Sequence, residues 1–124
     1  MEAFAITRVY ADENGDSHFE DVQKPLHSAG DIGFLSDAEA ADKVIFRKVI
    51  PSYDYDFHTA PARQYIILLD GKIEIETSLG EKRQFKAGNI LLVEDTTGKG
   101  HRTRNLLVTE RKSIFITLAN QPKT

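Results

Sequence analysis

Gln64-Tyr65-Ile66-Ile67-Leu68-Leu69-Asp70-Gly71-Lys72-Ile73-Glu74-Ile75-Glu76-Thr77 decides the fold class. After the turn, isoleucines at 73 and 75 alternate with charged residues. That period of two sets one face of a strand towards a core and the other towards water. Before the turn, Gln64 to Leu69 is a short, apolar, β-branched run of strand length. Asp70-Gly71 readily takes up positive φ, so the whole stretch reads as a β-hairpin.

The same rhythm extends in both directions. Phe4 to Tyr10 and His18 to Val22 form a pair across Asn14-Gly15. Val44 to Ile50 and Tyr53 to His58 are strands separated by Pro51-Ser52. Arg83 to Phe85, Asn89 to Val93, His101 to Val108 and Ser113 to Leu118 complete nine or ten strands. Gln23 to Ala41, with Pro25, Gly30 and Gly33, has no fixed apolar period and reads as a loop. Within it Ser36-Asp37-Ala38-Glu39 has capping-box spacing but supports at most one helical turn. Gln121 to Thr124 reads as a frayed tail. The expectation is an all-β sandwich or barrel, one domain over residues 1–124, with its barrel core at about 43–119.

The chain has 124 residues, no cysteine, and 16 basic against 19 acidic side chains for a net charge of −3. Disulfides, thiolate metal sites and a cysteine nucleophile are thereby excluded. The charge supplies no field for nucleic acid or an anionic membrane, and neither partner is expected. The longest apolar run, Tyr65 to Leu69, is far below the roughly 18 residues of a membrane span. Met1-Glu2-Ala3-Phe4 lacks the charge and apolar stretch of a secretory signal, so the expected location is cytoplasmic. Gly98-Lys99-Gly100 lacks the flanking glycine and hydroxyl of a phosphate loop, and no Gly-x-Ser-x-Gly elbow occurs. Lys99, Arg102, Arg104, Arg111 and Lys112 lack interleaved aromatic residues and read as a solvated or subunit-facing cluster.

From Tyr53 to Asn105 the sequence resembles the cupins, small jelly-roll barrels with two motifs. The first is His-x-His, three or four residues, Glu, six residues and Gly. Gln64 and Gly71 keep its last interval, with Gln in the place of Glu. The second motif ends in Gly, two residues, His, three residues and Asn, and Gly98, His101 and Asn105 match it. Gly88 matches its opening glycine, but Thr96 stands where proline is usual. Depending on the spacing chosen, the His-x-His pair falls on His58 and Ala60 or on Phe57 and Thr59. Pro61 after Ala60 favours His58. Strand parity opposes it, because Tyr53, Tyr55 and Phe57 share one face and His58 the other.

The resemblance implies a cupin-type jelly roll, with a site in which metal-dependent members hold an ion by three histidines and a glutamate. Here the corresponding set is His58, Gln64 and His101, one of them a neutral amide. It implies a weakly bound divalent metal such as Fe, Ni, Zn or Mn, or none. Without metal, His101 is the natural acid or base, with His58 as second catalytic group. On the strand from 101 to 105, His101, Thr103 and Asn105 share a face, and with Gln64 they are the expected contacts to a small-molecule ligand. His18 is a more distant candidate, His27 reads as solvated, and Arg63 reads as facing away from the pocket. Glu94 and Asp95 lie in a polar rim loop, where one carboxylate either contacts substrate or a pocket histidine or forms a solvated turn.

Two functions follow from the resemblance. One is an enzyme acting on a small polar metabolite by isomerisation, dehydration or oxygenation. The alternative is a non-catalytic, metal-free binding module. A homodimer is expected, because apolar segments such as Ser113 to Leu118 need their sheet edge covered.

Overall fold

The computed structural model of the chain describes residues 2–121. The period-two segments become twelve strands, and Gly30–Ile32 forms a single 3-10 turn. The strands are β1 (Ala3–Ala11), β2 (Ser17–Pro25), β3 (His27–Ser28), β4 (Phe34–Leu35), β5 (Ala41–Val49), β6 (Asp54–His58), β7 (Gln64–Leu68), β8 (Lys72–Thr77), β9 (Lys82–Lys86), β10 (Ile90–Val93), β11 (His101–Asn105) and β12 (Arg111–Leu118). One sheet runs β2-β1-β10-β7-β12-β5 and the other β6-β11-β8-β9, while β3 and β4 pair by themselves.

Alternation explains why the two sheets close on each other. From the smaller sheet Ile73, Ile75 and Phe85 point inward, and Glu74 and Glu76 point out. From the larger sheet Val9, Leu68, Leu91 and Val93 meet them in one buried cluster. Each such side chain stabilises the fold by about 1.5–3 kcal/mol relative to exposure. A second cluster, Ile6, Leu92 and Leu118 with Val22, Tyr65 and Ile90, covers the outer face of the larger sheet. The apolar alternation read at β8 therefore has its counterpart on two faces of β10, where Leu91 and Leu92 are both buried.

The expected hairpin at Asp70-Gly71 is a turn but not a hairpin. Strand β7 pairs with β10 and β12, whereas β8 pairs with β9 and β11. Leu69 donates its N–H to Lys112 O, and Leu106 donates its N–H to Lys72 O, so each side of the turn is bonded to a distant segment. Asp-Gly encodes a reversal of direction; pairing depends on which strands flank it, and here the chain crosses from one sheet to the other. Gly71 has φ 72° and packs directly against the Arg111 side chain, two reasons for a glycine there. The Asn14-Gly15 hairpin is as expected, with Ile6 opposite Val22.

Three other expectations change. Strand β2 continues to Pro25, and the supposed loop contains the small β3–β4 ladder. Residues 36–40 are not helical; Glu39 accepts a hydrogen bond from the Tyr65 hydroxyl instead, at 2.6 Å. Ser113 to Leu118 is not an edge, since β12 lies between β7 and β5. The edge on that side of the sheet is β5, which exposes Val44, Ile45 and Phe46. The expected frayed tail falls, from Pro122 on, outside the described residues. Gln121 itself is tied down: its amide donates to Arg63 O and Leu118 O and accepts from the Arg63 N–H. No helix among the described residues is long and apolar enough to cross a membrane.

Candidate functional site

A cavity of about 290 Å³ lies between the sheets. Gln64, Ile66 and Leu68 come to it from β7, Ile73 and Ile75 from β8, and Leu91 and Val93 from β10. His101 and Thr103 enter from β11, Arg111 and Phe115 from β12, Arg47 from β5, and Tyr53, Tyr55, His58 and the loop 59–61 from the remaining side. Apolar walls with a few convergent polar groups are the usual make-up of a small-molecule site.

His101 is 5% exposed, and its Nδ1 lies 2.6 Å from Oδ2 of Asp95, which is wholly buried. A carboxylate accepts, so the imidazole donates from Nδ1 and presents Nε2 with its lone pair. Asp95 stands at the end of β10, and its backbone oxygen receives the Ala60 N–H, which joins the rim loop to the segment after His58. Its second carboxylate oxygen, Oδ1, is buried with no partner among the described residues. The pair restricts ring rotation and tautomer together, as a carboxylate does for a catalytic histidine.

His58 stands opposite His101 in the β6–β11 ladder, their ring centroids 4.7 Å apart. Its Nδ1 lies 2.8 Å from Asp56 O, and since a carbonyl only accepts, this nitrogen carries the proton and leaves Nε2 basic. Burial pulls the His58 pKa below its usual value, the Asp56 hydrogen bond opposes this, and the neighbouring His101 reinforces it. Thus His58 favours the neutral form. The parity conflict resolves in a β-bulge. His101 pairs with His58 but Thr103 pairs with Tyr55, so β6 uses three residues where β11 uses two. Tyr55 and His58 therefore both line the cavity. Gly100, at φ 75°, allows this approach: a Cβ there would run into the His58 carbonyl oxygen.

Gln64 and Thr103 are buried and line the cavity. Asn105 does not line it. Its amide donates to Ile50 O and Pro51 O, and its Oδ1 accepts from Arg111 Nε at 2.8 Å, so it supports a cavity residue. His18 bonds Asp12 and His27 lies near Asp37, both outside the cavity. Arg63 is bonded to Glu94, as is Arg8. Burial works to raise the Glu94 pKa, but the two guanidinium groups outweigh it and hold the carboxyl below its ordinary value.

The basic cluster dissolves into separate roles. Lys99 pairs with Asp16, Arg102 with Asp54 and Arg104 with Glu74. Arg111, read from the sequence as solvated or subunit-facing, is instead 2% exposed and enters the cavity. Parity within β12 could have placed it with Ser113 on the inner face, but no local signal showed that this face was the cavity's. Arg47 and Tyr53 are further residues that the sequence did not single out as its site, whereas Asp95 is the rim-loop carboxylate that meets a pocket histidine.

A metal centre can be tested against the donors present. Among the described residues no three His, Cys, Asp or Glu side chains are grouped to hold an ion. His58, Gln64 and His101 supply two imidazoles and a neutral amide, and the nearest carboxylate, Asp95, is already bonded to His101 Nδ1. This set does not fit a tightly held divalent ion, whose charge it would leave uncompensated.

Two facing sheets around a cavity make a jelly roll, and the chain shares its fold with a solved cupin domain. It is similar to the cupin domain of Cnp3 from Schizosaccharomyces pombe, with a TM-score of 0.53 and 9% identity over 97% of this chain and 86% of that one. A predicted oxalate decarboxylase from Thermotoga maritima overlays at a TM-score of 0.49 and 15% identity, covering 95% of this chain and 99% of that one. A putative ethanolamine utilization protein Q from Salmonella typhimurium gives 0.45 and 14%, covering 97% and 100%. No family model and no curated protein matches the sequence, so the likeness is one of fold.

Proposed function

We propose that this cupin binds a small metabolite in the central cavity and transfers a proton on it, as in an isomerisation or an elimination. The observation that carries the reading is the buried Asp95–His101 pair at 2.6 Å with His58 beside it. Asp95 fixes the His101 ring and stabilises the imidazolium that forms when Nε2 takes a proton. His58, neutral by burial, is a second proton carrier whose Nε2 is free of protein partners among the described residues. Two imidazoles with set tautomers can withdraw a proton at one atom and return it at another. Gln64 and Thr103 supply hydrogen bonds that orient the ligand, and the apolar wall excludes competing water. No step requires a resident metal.

Solvent isotope incorporation tests this reading. Candidate metabolites that raise the melting temperature are incubated with the protein in D2O and followed by NMR. The expected result is deuterium at a carbon next to a carbonyl, lost on His101→Asn. A ligand that stabilises the protein and acquires no deuterium would contradict the enzyme and leave a binding module.

A further inference from the structure

The cavity has two chemically different ends. Along β11, His101 faces His58, Thr103 faces Tyr55, and Asn105 holds Arg111. His101 and Asn105 are four strand residues apart, about 13 Å between Cα atoms at the usual rise. At the Asn105 end, the Arg111 guanidinium lies 5.5 Å and that of Arg47 4.9 Å from the centroid of the Tyr53 ring, and Arg47 lies 5.1 Å from that of Phe115.

Neither arginine is paired with a carboxylate among the described residues, although Arg8, Arg63, Arg83, Arg102 and Arg104 all are. Arg111 is 98% removed from solvent and spends only Nε on Asn105. Asp70, the acidic group whose charge reaches it, receives the Lys112 N–H. Burial, and then the like charge of Arg47, work against the Arg111 cation. Two guanidinium groups held together in an apolar enclosure without an anion are costly, and a bound anion removes that cost.

We propose that the cavity selects an organic oxyanion, whose carboxylate or phosphate oxygens are taken by the forks of Arg47 and Arg111 while its reacting carbon lies at His58 and His101. The assignment rests on the ligand-binding reading above and names its substrate class. Guanidinium groups match both oxyanions through paired N–H donors. The Tyr53 and Phe115 rings hold the arginines in place, so that the site is formed before the ligand arrives.

The experiment is a titration at constant ionic strength with acetate, succinate, inorganic phosphate, chloride and the neutral compound glycerol. Melting temperature and the ring resonances of His58 and His101 are followed together. Saturable stabilisation by acetate, succinate or phosphate, with neither chloride nor glycerol matching it, supports the proposal; the preferred anion separates a carboxylate from a phosphate ligand. Arg47→Gln, at a half-buried position, weakens the preferred anion at least tenfold, whereas Arg102→Gln, outside the cavity, retains its binding. Arg111→Gln has the same effect as Arg47→Gln if it folds, and Arg47→Gln alone carries the test if it does not. Anion binding unchanged in Arg47→Gln would overturn the proposal, as would glycerol matching every anion. If glycerol moves both histidine resonances and no anion does, the oxyanion assignment fails and the cavity reading stands. If nothing binds near the histidines, both fail.

Discussion

Tyr55 and His58 stack face to face, their ring centroids 3.9 Å apart and their planes 13° from parallel, although three steps along a regular strand set side chains on opposite faces. The bulge opposite His101 and Thr103 permits the stack. It converts a histidine that parity would turn outward into one that meets His101 inside the barrel. Stacking contributes about 0.5–1.5 kcal/mol beyond the area buried. Tyr55→Ala should therefore lower stability by at least that amount and let the His58 pKa rise towards its ordinary value, as burial of the ring is lost. NMR titration of the His58 ring checks both the direction and the residue.

His58 also sets a pH dependence. Its folded pKa lies below the unfolded one, so in the window between them the unfolded chain binds a proton that the folded chain refuses. Stability contributed by this site is complete above the unfolded value of about 6.5 and falls as pH drops through it, levelling off below the folded pKa. The difference in melting temperature between the native chain and His58→Asn should shrink from pH 7.5 to pH 5.5. A difference that grows on acidification would contradict the account.

Gly100 and Gly80 offer a matched comparison. Both have positive φ, but a Cβ on Gly80 meets nothing within 4 Å, whereas one on Gly100 meets the His58 backbone. Gly80→Ala should cost about 1–2 kcal/mol for its left-handed backbone alone. Gly100→Ala should cost clearly more, and should shift the His58 ring resonances while Gly80→Ala leaves them in place. Denaturant melts and one NMR spectrum of each variant suffice.

Much of the fold was legible because it rests on local alternation. Ile73 and Ile75 are buried as their period requires, Asn14-Gly15 closes the hairpin it encodes, and the spacing of Gly98, His101 and Asn105 carries the cupin resemblance. Partner strands were not legible, which is why Asp70-Gly71 misled: its two flanks join separate sheets. The site divides in the same way. His101 and Thr103 follow from their shared strand face and Gln64 from the motif spacing of the resemblance, while Arg47, Tyr53 and Arg111 meet only after distant segments have come together. Asp95 lies in a polar run beside Glu94, and nothing local says that one of the two is bonded by surface arginines and the other by a buried histidine.

Glu94 and Asp95 should accordingly respond differently to amidation. Glu94→Gln removes the negative charge shared by Arg8 and Arg63 and one of the two acceptor oxygens they use, at a cost of about 1–3 kcal/mol in stability with the cavity unchanged. In the native chain that contribution is present above pH 4.5 and is lost as pH falls through the depressed pKa of Glu94. Asp95→Asn should instead reduce proton transfer by about 10²-fold or more, because the His101 tautomer is no longer fixed. Denaturation curves and isotope incorporation separate the two variants.

We propose a homodimer through the β5 edge with its exposed Val44, Ile45 and Phe46, since β12 is interior. Light scattering at micromolar concentration should give twice the chain mass, and Phe46→Glu should halve it. A monomeric native chain would refute this.

Asp95 holds His101 with its proton on Nδ1 and its basic nitrogen free for a ligand. Long-range ¹H–¹⁵N spectra of the imidazoles at pH 8 measure this directly. The expected spectrum shows a protonated Nδ1 and an unprotonated Nε2 for His101, with the distinction reduced or reversed in Asp95→Asn. A native His101 carrying its proton on Nε2, unchanged by that substitution, would contradict it.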